Sequence, residues 1–133
     1  MKGIRRKVAG ERGAALIEGL FALMLVLLVV GVAAQALAYA HAKSVAAAAA
    51  QDGARAAAAG GPNAGVVRAG AILAAAGDTG EGLRATAREV GDEVTVNVEG
   101  EAPRLFSLPL LLPAVRASAS LPLERYSSAE VAP

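Results

Sequence analysis

The 133-residue chain has no cysteine, no tryptophan, two tyrosines, two phenylalanines and one histidine. Without cysteine there is neither a disulfide nor a thiolate metal site; this has no bearing on export. The lone histidine, His41, has no cysteine or close acid beside it and does not make a metal site. With one imidazole and scattered serines, no nucleophile–base–acid set can be assembled. No enzymatic activity, metal or cofactor is therefore expected. The scarcity of aromatics limits the core as well. Hydrophobic residues make up 55% of the chain and aromatics only 3%. Much of the apolar count is alanine, which buries little area per residue, so any soluble part has a thin core. A basic patch on the folded part is also lacking, which excludes a nucleic-acid footprint.

Charge is abundant at one end. Lys2, Arg5, Arg6, Lys7 and Arg12 precede Gly13 against Glu11 alone, leaving 8 basic and 11 acidic residues from position 14 onward. Then come Ala14-Ala15-Leu16-Ile17-Glu18 and 22 residues without formal charge, Gly19 to Ala40. As a helix that run is about 33 Å long, enough to cross a hydrocarbon core of about 30 Å. The basic residues on its N-terminal side put the N-terminus in the cytoplasm and everything from His41 onward outside. Glu18 at the mouth of the span is the anomaly. An acid near the centre of such a helix costs about 2.5–3.5 kcal/mol, less toward its end, and a mere anchor has no use for it.

Three readings of the segment compete. A cleaved secretory signal would use the small residues Ala36, Ala38, Ala40 and Ala42, but its apolar core would normally be about 7–15 residues. A plain bitopic anchor accounts for length and orientation and leaves Glu18 unexplained. In the third, the leader is cut on the cytoplasmic side and the apolar helix is kept.

The run Arg12-Gly13-Ala14-Ala15-Leu16-Ile17-Glu18 resembles the processing site of type IV pilin-like proteins, and most of the chain resembles the TadE-like pseudopilins of tight-adherence (Flp) pilus systems. The alanine-rich stretch Ala46–Gly61 and the ending "VTVNVEG … VRASASLPLE" carry the rest of the likeness. The resemblance implies cleavage between Gly13 and Ala14 by a prepilin peptidase, with Glu18 as the fifth residue of the mature chain. Glycine suits a peptidase cleft because no side chain obstructs an extended backbone. The cut exposes an α-amine at Ala14, largely cationic at neutral pH, which Glu18 of a staggered neighbour can meet. Ala14 and Glu18 would then select partners and register. Two departures argue against a major subunit. Gly19 stands where Flp-type major pilins usually carry tyrosine, and residues 62–133 form a domain those short proteins lack. The implied role is a minor pilin or assembly component, held in the cell membrane by a single span and acting with other pilin subunits, pilus assembly proteins and the membrane in adhesion.

The expected fold is α+β. Residues 1–13 are the leader, 14–40 the transmembrane helix, 41–61 its alanine-rich extension and 62–133 a small α+β domain. One helix is predicted over 14–59, with Gly53 a weak point in it, ended by Gly60-Gly61-Pro62. Asn63 is the expected cap of a second helix, about 64–76, and residues 77–82 are an expected loop. The missing Lys-Ser/Thr argues against phosphate binding there. Period-two alternation over 83–90 and 94–98 predicts a hairpin turning near Val90-Gly91-Asp92, with a helix over 83–90 as the alternative. Alternation over 115–123 predicts a third strand, with Pro122 placing it at an edge or ending it. The sheet is expected to pack on the extended helix. Gly31, Ala34, Ala38 and Ala42 offer a small-residue face for helix approach; Tyr39 and His41 are expected at the membrane interface. Arg55, Arg68, Arg84 and Arg88 are expected to be solvated among acids. The apolar run between Pro103 and Pro113 either folds over the sheet to complete the core or forms a patch for a neighbouring subunit or the bilayer.

Overall fold

The computed structural model describes residues 2–107 and 112–124, with side chains from Gly10 onward. Its elements are α1 (Lys2–Gly60), α2 (Pro62–Ala75), α3 (Asp78–Glu81), β1 (Leu83–Val90), β2 (Glu93–Gly100) and β3 (Val115–Pro122). The architecture is α+β, with a long N-terminal helix, a short second helix and one antiparallel sheet in the order β1-β2-β3. The chain divides into two compact units, residues 1–36 and 37–133.

In the first unit α1 has no amphipathic stripe. Leu20, Phe21, Leu23, Met24 and the unbroken run Leu25–Val30 are all exposed. Consecutive residues point about 100° apart around a helix, so this run is apolar on every side. The best 18-residue window in α1 has a mean hydropathy of 2.7. The helix is long and apolar enough to cross a membrane.

The second unit is built on alanine. Ala42, Ala46, Ala49, Ala50, Ala54, Ala57 and Ala58 are buried at helical spacing, one stripe along α1. Alanine favours the helix and, having only a methyl, lets other elements approach its axis closely. The stripe shares one core with Ala69 and Leu73 of α2, Leu83 of β1, Val115 of β3 and three fully buried valines of β2, Val94, Val96 and Val98. Those valines are the bulk of the core, each contributing about 1.5–3 kcal/mol. On the same sheet face the edge strands place mostly small residues, Ala85 and Ala87 opposite Val98 and Val96 on one side, Ala117 and Ala119 on the other.

α1 ends where expected. Gly61 takes φ 86° and donates its N–H to Ala57 O at 2.8 Å, and α2 then doubles back along α1. At the crossing, Gly53 and Gly65 face each other over Val96. A Cβ on Gly65 would lie 2.6 Å from Ala57 Cβ and 2.8 Å from Gly53 O. Gly53 is thus a packing requirement as well as a weak helix former. Asp52 holds the same crossing from outside, bonded to Arg55 at 2.7 Å and Arg68 at 3.3 Å.

Two expectations need correction. Asn63 does not cap α2; Gly61 occupies the N-cap with no side-chain bond, and Pro62 starts the helix, a first-turn position where its missing N–H is no loss. Residues 78–81 are the helical turn α3 rather than loop, closed by Gly80 and Glu81 N–H bonds to Gly77 O; Gly80 is buried so tightly that a Cβ would overlap the Leu73 carbonyl. Tyr39 is partly buried against the core cluster. Leu105 and Phe106 are about half exposed and do not complete the core; Leu108, Leu110 and Leu111 of that run lie outside the described residues. Leu83–Val90 is a strand, which removes the helical alternative. The hairpin turns through Gly91-Asp92 with positive φ at Gly91 alone, the pattern of a II′ turn, which matches the strand twist. β3 ends at Pro122 on the sheet edge.

Candidate processing and pairing site

Gly13, Ala14 and Glu18 all lie on α1 within the first unit. Gly13 is half-buried, Ala14 and Glu18 are exposed, and a Cβ on Gly13 would meet nothing within 4 Å. The site is therefore sterically open, but its backbone is helical. A peptidase acting here would need an extended strand of substrate, so a turn of α1 would first have to open. Gly10 and Gly13 ease this, since each glycine weakens a helix by about 1 kcal/mol relative to alanine. The absence of a side chain at Gly13 suits a peptidase cleft, and the helical state would add local unfolding as a step.

Ala14 and Glu18 are four residues apart and so share one face of α1, separated by about 6 Å along the axis. Gly13 lies off that face. Among the described residues Glu18 makes no ion pair. Around it Leu16, Ile17, Leu20 and Phe21 are all exposed, so the carboxylate is a single polar group in an apolar collar. Two such helices side by side, offset by about one turn, bring the Ala14 nitrogen of one level with Glu18 of the other.

The small-residue face splits in use. Ala42 belongs to the core of the second unit, while Gly31 is buried and Ala34 half-buried in the first. Beside them Gln35, 5% exposed, is the buried polar side chain of the span; among the described residues no buried side-chain polar atom lacks a partner. The sequence signal for Gln35 is a lone amide in a charge-free run. His41 is exposed. Arg55 and Arg68 are ion-paired to Asp52 on the surface, whereas Arg84 and Arg88 are exposed and make no ion pair among the described residues. Again among the described residues, no three acids or histidines converge as metal ligands. Compared with family models, curated proteins and solved structures, the chain returns no match.

Proposed function

We propose that this chain is a membrane-inserted pseudopilin of the TadE-like kind, structural rather than catalytic, which takes part in assembling a tight-adherence pilus. One observation carries the reading: a helix apolar on every side, preceded by a basic leader and Gly13, with a single exposed carboxylate at its mouth. A prepilin peptidase removes residues 1–13 in the cytoplasm, and the mature helix stays in the membrane with the α+β unit outside. Glu18 then meets the Ala14 amine of a neighbouring subunit. In a low-dielectric setting, removing one partner of such a pair costs about 3–5 kcal/mol, so the pair selects one stagger over the others.

The packing of the second unit argues against a secreted domain freed near Ala40–Ala42. Tyr39 packs on the core and Ala42 is fully buried in it. A cut there would strip Tyr39, and at the later position Ala42, from a core that has little to spare.

The mass of the mature N-terminus decides among the readings. A chain beginning at Ala14 is expected. A start near Ala42 would establish secretion instead, and an intact leader a plain anchor. Glu18→Ala as the sole copy should insert as well as the native chain or better, yet lower pilus yield by at least about tenfold. Unchanged yield would remove the pairing role from Glu18.

A further inference from the structure

The two edges of the sheet are built differently. Val90 and Glu93 flank a two-residue turn, so they exchange both hydrogen bonds, and alternate pairs do so along the hairpin. The backbone groups of Leu83, Ala85, Ala87 and Glu89 therefore point away from β2, toward the free edge. On β3 the same alternation turns Arg116, Ser118, Ser120 and Pro122 outward, and proline there has no N–H to offer. β1 carries no proline. Among the described residues no backbone bond from outside the sheet reaches it. Beside that edge lies an open groove of about 730 Å³ between β1, α2 and α3, lined by Val66, Gly70, Leu73 and Leu83 and, from α3 just before the start of β1, by Asp78 and Glu81.

Charge identifies the occupant. Arg84 and Arg88 stand on the outer face of β1, about 13 Å apart along the strand with Thr86 between them, and neither has an ion pair among the described residues although Arg84 lies opposite Glu99. A second copy of β1 added antiparallel with Leu83 opposite Glu89, the longest overlap that pairs the outward-pointing backbone groups with one another, would set Arg84 against Arg88 twice, and like charges directly opposite are destabilising. We propose that the β1 edge binds an extended segment of a partner protein as a fourth, antiparallel strand. That segment carries carboxylates at two positions four residues apart to face Arg88 and Arg84, apolar residues on the alternate positions over the groove, and a basic residue at the end beside Asp78 and Glu81. Main-chain bonds supply affinity and the alternating side chains supply specificity. The inference does not depend on cleavage at Gly13 or on Glu18.

The test uses the full chain in detergent micelles and a fluorescent peptide, Val-Glu-Val-Thr-Val-Glu-Lys. Saturable binding is expected, with slowed amide exchange at Leu83, Ala85, Ala87 and Glu89. Arg88→Glu should weaken binding by about fivefold or more. Gly70→Leu should block it, because a Cβ at Gly70 meets nothing within 4 Å and the side chain fills the groove rather than the core. A peptide with lysine in place of both glutamates should not bind. No saturation up to about 1 mM peptide, or binding indifferent to both variants, would overturn the proposal. So would self-association in sedimentation experiments that Gly70→Leu abolishes, since a second copy would then occupy the edge.

Discussion

Gly53 and Gly65 set how closely α2 lies on α1, because a methyl at Gly65 would sit 2.6 Å from Ala57 Cβ and within 3.2 Å of Val96. The Gly53 carbonyl oxygen also lies 2.8 Å from that position. Gly65→Ala should lower stability by about 1–3 kcal/mol through overpacking, despite alanine's better helix propensity. Gly70→Ala on the same helix is the counterpart. With open space around its Cβ, it should raise stability by about 0.4–1 kcal/mol. Thermal unfolding of both variants by circular dichroism should shift in opposite directions; a shared sign would show that the crossing is not the determinant. The Asp52 bridge is a smaller matter. Its partners are more than half exposed, and such pairs are worth about 0–1 kcal/mol. From the sequence Gly53 was legible only as a helix-weakening residue, because its contacts are with residues that come after the turn at Gly61.

At the scale of elements, β2 carries the core and its hairpin turn sets the register. Val96 touches both glycines of the crossing and is fully buried. Val96→Ala should cost about 2 kcal/mol, two buried methylene equivalents at about 0.8 kcal/mol each plus a cavity, with little relief because the neighbours are alanines too short to fill the space. Gly91→Ala forces a left-handed conformation on an L-residue at φ 63° and should cost about 1–2 kcal/mol. Denaturant unfolding measures both. The strands were readable because period-two alternation names the buried face directly. The short α3 was not, since four residues rich in glycine and acid have no helical signature; the turn exists because Gly80 fits beneath the Leu73 carbonyl. Asn63 misled for a related reason. A capping side chain is optional when Pro62 already starts the helix.

For the molecule as a whole, the span from Gly19 to Ala40 is the dominant physical fact. Its exposed residues on all sides need lipid or other helices around them. Val29→Asp near its centre should raise the insertion free energy by about 2.5–3.5 kcal/mol and move most of the protein out of the carbonate-resistant membrane fraction; retention there would count against a membrane span. The sequence by itself determined the apolar helix, its charge asymmetry and the three strands, because each depends on neighbours close along the chain and on simple periodicity. Only the tertiary structure decided how α2 returns along α1 through Gly53 and Gly65, that Leu105 and Phe106 stay out of the core, and that the β1 edge, free of outside backbone bonds among the described residues, borders a groove. These depend on which distant residues come into van der Waals contact, and in a chain with so many alanines the local pattern does not distinguish one small side chain from the next.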